Sequence, residues 1–204
     1  MTLRLPIRLI GLCAVLMVMP AAAQQPIATT AKHALLLDVN TNTVLLQKDA
    51  DVPMPPASMS KLMTVYMVFQ RLKAGTLSLD DKFLVSEKAW RKGGSKMFVR
   101  VNTRVSVRDL LRGIIVQSGN DACIVIAEGI SGSEEAFAKA MTRLAPRIGL
   151  TNSNFRNSTG WPDEEHKMSS RDIASLAHTI ITEFPKHYAI FSEKVFKYNR
   201  IKQG

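Results

Sequence analysis

The 204-residue chain is 46% hydrophobic and 22% charged, with 27 Lys and Arg against 17 Asp and Glu. This composition excludes a disordered tail, a collagen-like repeat and a disulfide-dense miniprotein, and the length suits one domain, at most one and a half, with a sizeable core. The formal charge of +10 asks for an anionic neighbour, whether nucleic acid, an anionic membrane or an anionic polymer.

Residues 1–23 read as a secretory signal peptide. Arg4 and Arg8 begin it, Leu9 to Met19 form an apolar run, Pro20 breaks the run, and Ala21-Ala22-Ala23 is a small-residue cleavage site. The run falls short of the roughly 20 residues that a membrane-spanning helix requires. Export argues against nucleic acid as the partner and for cell-wall polymer or anionic lipid. Cleavage lowers the charge from +10 to +8 by removing Arg4 and Arg8. It also removes Cys13 and leaves Cys123 as the sole thiol, so no intramolecular disulfide is expected.

Two short apolar runs, Ala34 to Val39 and Thr43 to Gln47, flank Asn40-Thr41-Asn42 and predict a β-hairpin. Pro53-Met54-Pro55-Pro56 then leads into a helix from Ser58 to Lys73. That helix is apolar nearly all round and therefore belongs in the middle of a domain. Gly75 stops it. Between Phe83 and Val105 lie short alternating pieces and a basic cluster (Lys88, Arg91, Lys92, Lys96, Arg100) interleaved with Trp90 and Phe98, read as solvated surface. Ser106 with Asp109 forms a capping box before a helix carrying Leu110, Leu111, Ile114 and Ile115. A tight Ser118-Gly119-Asn120 turn leads into a second apolar helix, Asp121 to Ile130. Ser133 opens another with Phe137, Met141 and Leu144 on one face. After a polar loop (Thr151 to Met168), Ser169 and Asp172 cap a last helix reaching Ile181.

The four histidines, His33, His166, His178 and His187, show no metal-ligand spacing, and neither phosphate-binding glycine loops nor a Gly-x-Ser-x-Gly elbow occurs. No metal and no cofactor are expected. Glu164-Glu165 reads as solvated loop. Ser58-Met59-Ser60-Lys61 stands apart. Residues three apart share a helix face, so Lys61 can reach the Ser58 hydroxyl. Burial and the positive helix N-terminus both disfavour its ammonium, which makes a neutral amine available to a nucleophile. An N-cap serine with a snorkelling lysine would read the same way from spacing alone. Ser118-Gly119-Asn120 could relay a proton and hold a substrate amide, or be no more than a helix stop followed by an Asn cap.

Together, Pro55-Pro56-Ala57-Ser58-Met59-Ser60-Lys61-Leu62-Met63-Thr64, Gln117 to Ala122, Ile148-Gly149-Leu150, Asn157-Ser158-Thr159-Gly160-Trp161 and Ser169-Ser170-Arg171-Asp172 resemble the serine D-alanyl-D-alanine carboxypeptidases, the low-molecular-mass penicillin-binding proteins. The resemblance runs from about Ala34 to the last residue. It implies an α+β, β-lactamase/transpeptidase-like fold: an antiparallel sheet with helices on its faces and a mainly helical subdomain. It also implies that Ser58 attacks the carbonyl between the two terminal D-alanines of a peptidoglycan stem pentapeptide, Lys61 is the general base and Ser118 relays the proton to the departing D-alanine. Asn120 and Gly119 would bind substrate, Asn120 also steadying Lys61. β-Lactam antibiotics would trap Ser58 as an ester. The family's third motif, Lys-Thr-Gly on a sheet strand, occurs nowhere in the chain. Residues 24–204 are accordingly expected to be the N-terminal portion of the catalytic domain, without the last sheet strands or a C-terminal membrane-surface anchor, and inactive alone. Two other readings stay open here: a non-catalytic wall-binding homologue and a serine β-lactamase.

Overall fold

A computed structural model of the chain describes residues 28–204, so the expected signal peptide (1–23) lies outside the described residues. Strands β1 (Ala34–Asp38) and β2 (Thr43–Lys48) form the expected antiparallel hairpin, with a bulge between Leu36 and Leu37. Asn42 takes a left-handed φ of 56° at the turn, a conformation that Asn tolerates better than most residues. Helix α6 (Ser170–Glu183) packs on β1.

The centre is helical. In α1 (Lys61–Lys73), Met63 to Phe69 are all buried, and α4 (Asn120–Ser131) buries every residue from Asn120 to Ala127. Helices apolar all round must be enclosed. The enclosure comes from α3 (Val107–Ile115), α5 (Glu134–Leu144) and the short α2 (Glu87–Arg91). The boundaries follow from local chemistry. The hydroxyls of Ser106, Ser133 and Ser169 accept from the amides of Asp109, Ala136 and Asp172, each three residues into its helix, and so satisfy otherwise orphaned donors. At Ser106 the pairing differs from a capping box. The hydroxyl donates to the Asp109 carboxylate at 2.8 Å, because aspartate is a methylene shorter than the glutamate that reaches the backbone.

The helix expected from Ser58 begins differently. Ala57–Ser60 is a 3₁₀ turn, and α1 starts only at Lys61. Ala57 at φ 48° turns the chain too sharply for α-helix to begin there. Two further ribbons complete the strands: β3 (Lys82–Leu84) with β4 (Arg104–Ser106), and β5 (Phe196–Tyr198) with β6 (Ile201–Gln203). The latter hairpin turns through Asn199 and Arg200, both at positive φ, as a two-residue I′-type turn requires. A four-residue helix, α7 (Pro185–Tyr188), and a 3₁₀ turn, Ala189–Ser192, precede it.

Candidate active site

Lys61 is 4% exposed, and its Nζ donates to Ser58 Oγ at 2.8 Å. The pairing follows from the 3₁₀ turn, which brings side chains three residues apart nearly into line. Burial depresses the Lys61 ionisation below the ordinary lysine range, and the Lys92 ammonium adds to the depression. The Cys123 thiol, wholly buried, is itself pushed up to about 12, so it is neutral. Among the described residues, Lys61 has no carboxylate within ion-pair distance. A buried, uncompensated lysine beside a serine hydroxyl is a base waiting for a proton.

Ser58 and Lys61 open onto a cleft of about 140 Å³ whose wall is Leu62, Val65, Ile114, Ile115 and Phe191 and whose remaining polar group is Ser118. Ser118 sits at φ 55° in the turn that leaves α3, a strained placement on the edge of this cleft. Gly119 and Asn120 follow directly on Ser118 and are not among the residues that line the cleft. The Gly119 amide donates to Gly113 O at 2.8 Å, with no room for a side chain, since a Cβ would lie 3.0 Å from that oxygen. Asn120 donates its Nδ2 to Gly93 O at 2.9 Å. Of the five residues named from sequence, the structure brings Ser58, Lys61 and Ser118 onto one cleft and sets Gly119 and Asn120 against the 93–97 segment. The adjacent Asp121 carboxylate, fully buried, accepts from the amides of Met97 and Val99 and fixes that segment.

Sequence reasoning did not assign the support of the Ser58 turn. Glu134, at the start of α5, is 7% exposed; its carboxylate accepts from Ser158 Oγ at 2.8 Å and pairs with Lys88 at 3.0 Å. Ser158 O accepts in turn from Thr64 Oγ1, one turn along α1 from Lys61. Asn157 Oδ1 accepts from the amides of Thr159, Gly160 and Trp161, which winds the loop tightly. Gly160, at φ 79°, then lies directly on the turn: a Cβ there would stand 1.8 Å from Ala57 O and 2.7 Å from Ser60 Oγ. A carboxylate at the head of a helix with one apolar face and a glycine in an Asn-Ser-Thr-Gly run were the available signals. Gly160→Ala should cost about 2–5 kcal/mol, from ~1–2 for left-handed strain and ~1–3 for overpacking. The expected result is a thermal midpoint lower by roughly 5–15 °C, together with a slower reaction at Ser58. An unchanged midpoint would show that the turn yields freely.

Of the remaining candidates, His166 is buried beside Phe155 with its ionisation lowered to about 4 by desolvation, and it is neutral at ordinary pH. Glu164-Glu165 is exposed. Among the described residues no three His, Cys, Asp or Glu side chains gather as a metal site.

The family model described as D-alanyl-D-alanine carboxypeptidase matches residues 19–204. The D-alanyl-D-alanine carboxypeptidase DacA of Haemophilus influenzae is 41% identical over 182 residues, covering 88% of this chain and 46% of its own. The solved penicillin-binding protein 5 of the same organism is 40% identical with a TM-score of 0.85, over 89% of this chain and 54% of that one. Penicillin-binding protein D2 of Listeria monocytogenes, solved in its ampicillin-bound form, is 25% identical with a TM-score of 0.73, over 85% of this chain and 71% of that one. The chain spans about half the length of the curated relatives it matches.

Proposed function

Because the chain belongs to the D-alanyl-D-alanine carboxypeptidase family, we propose that the protein is an exported hydrolase that removes the terminal D-alanine from peptidoglycan stem pentapeptides. Residues 1–23 are its signal peptide and 24–204 the N-terminal portion of its transpeptidase-like catalytic domain. It works in the periplasm or at the outer face of the cytoplasmic membrane. Its neighbours' fold is the α+β penicillin-binding-protein fold, and no described helix is long and apolar enough to cross a membrane.

The observation that carries the reading is the 2.8 Å contact between Ser58 and the buried Lys61, which has no carboxylate within ion-pair distance among the described residues. Neutral Lys61 takes the Ser58 hydroxyl proton as Oγ attacks the carbonyl between the two D-alanines. The N–H of Ser58 is one donor to the developing oxyanion. Ser118, on the same cleft, passes a proton to the departing D-alanine nitrogen. Asn120 and Gly119 hold the substrate on the side of the 93–97 segment, and water then cleaves the Ser58 ester. A β-lactam acylates Ser58 by the same steps, as its likeness to a terminal D-Ala-D-Ala requires, and leaves slowly.

The test is D-alanine release from a peptide ending in D-Ala-D-Ala by the full-length protein. Stoichiometric release, blocked by prior exposure to a penicillin, is the expected result. Peptidoglycan binding without release would favour the non-catalytic reading, and rapid turnover of the penicillin itself would favour the β-lactamase.

A further inference from the structure

Lys92 Nζ stands 3.9 Å from the centroid of the Trp161 ring, a close cation–π approach. The contact joins two segments remote in sequence, the loop after α2 and the Asn157–Trp161 loop. Asn120 is fastened to the first of them. Its Nδ2 donates to Gly93 O at 2.9 Å and its amide to Ser95 O at 2.8 Å. Gly94, at φ 76°, approaches so closely that a Cβ would lie 2.7 Å from Asn120 Nδ2 and 3.2 Å from Trp161 Cζ3. The indole thus covers the backbone that holds Asn120. Trp161 remains 43% exposed, and Lys92 has no carboxylate within ion-pair distance among the described residues. A large aromatic and a desolvated cation would each be costly alone, and here each satisfies the other.

We infer that Lys92 and Trp161 form a latch, a pair of positioning residues that closes the 92–95 segment over Asn120 and so sets its carboxamide relative to Ser58 and Lys61. The inference rests on the acyl-transfer reading above. Neither residue lines the Ser58 cleft; both act through Asn120. The charged and titratable surroundings are few. Lys92 feels Glu134 of α5 and Lys88 of α2, and Lys61 feels Lys92, while the neighbouring Cys123 of α4 stays a neutral thiol. Loss of Trp161 therefore changes geometry, whereas loss of Lys92 changes geometry and the charge near Lys61.

Acylation of the full-length protein by a fluorescent penicillin, resolved into a saturating rate and a half-saturating concentration, tests the latch, with Ser58→Ala as the unlabelled control. Trp161→Ala and Lys92→Met are each expected to lower the saturating rate by about tenfold, the scale of a sub-ångström misplacement, with half-saturation little changed. The double variant should be no slower than the slower single, because either change opens the same contact. Lys92→Arg and Trp161→Phe, which keep a cation on a ring, should recover most of the rate. Lys92→Met should also move the acid limb of the pH–rate profile upward, since the cation that disfavours Lys61 protonation is gone; Trp161→Ala should leave that limb in place. Should Trp161→Ala fail to fold, Lys92→Met and the two conservative variants carry the test. Additive losses in the double variant, or losses confined to half-saturation, would overturn the latch while leaving acyl transfer intact. A wild-type protein that takes no label would overturn both.

Discussion

Ser58→Ala in the full-length protein should abolish covalent labelling by a fluorescent penicillin. Ser58 is the one serine in the chain with a lysine three residues on, and the 3₁₀ turn converts that spacing into a 2.8 Å contact. It is exposed to the cleft, as a nucleophile must be. The neighbouring Ser60 offers a useful contrast: it is wholly buried under Gly160, with an Oγ that has no hydrogen-bond partner, and no substrate carbonyl can reach it. Removing a nucleophile of this type costs on the order of 10⁶ in rate, far below what gel fluorescence detects. The fold should survive, because the change removes one part-buried hydrogen bond and the Lys61 donor it leaves unpaired costs about 1–3 kcal/mol. Ser60→Ala should label normally. Labelling of Ser58→Ala at the wild-type level, with its thermal midpoint unchanged, would transfer the nucleophile elsewhere.

What could be read in the sequence was what depends on neighbours in sequence. The serine caps at 106, 133 and 169 act on amides three residues away, the first hairpin turns on Asn40 to Asn42, and Lys61 meets Ser58 across three residues. Burial of α1 and α4 was legible because neither has a polar face. The 3₁₀ character of the Ser58 turn was not, since it depends on the unusual φ of Ala57 and on a glycine lying across it from another loop. The Glu134–Ser158 hydrogen bond joins residues 24 positions apart, and the Lys92–Trp161 contact joins residues still farther apart. Such pairs leave no periodicity. Asp121 did leave a trace, a carboxylate in the first turn of a largely apolar helix, and it proves to be the anchor of the 97–99 backbone.

Lys61→Arg should slow acylation by at least the ~10² expected from losing a general base. The two side chains carry the same charge and could both donate to Ser58 Oγ, so a lysine that merely positioned the serine would be replaceable. A base is not, because a guanidinium stays protonated at every accessible pH. The pH dependence separates the cases further. Burial lowers the Lys61 ionisation beneath the ordinary lysine range, so the wild-type rate should climb with pH, about tenfold per unit below that ionisation, and level off above it. The arginine variant should show no such limb. As pH rises, stability should move the same way as activity. A lysine whose folded ionisation is depressed binds its proton more weakly in the folded state than in the unfolded one, so below that ionisation its burial weighs against folding, and the cost fades only as pH rises toward the unfolded value. Lys61→Met, of similar length and without the charge, should therefore raise the thermal midpoint at neutral pH while eliminating acylation. A rate for Lys61→Arg within threefold of wild type, with the limb retained, would assign the proton transfer to another group. A lower midpoint for Lys61→Met would mean that the hydrogen bond to Ser58 outweighs the burial of the ammonium.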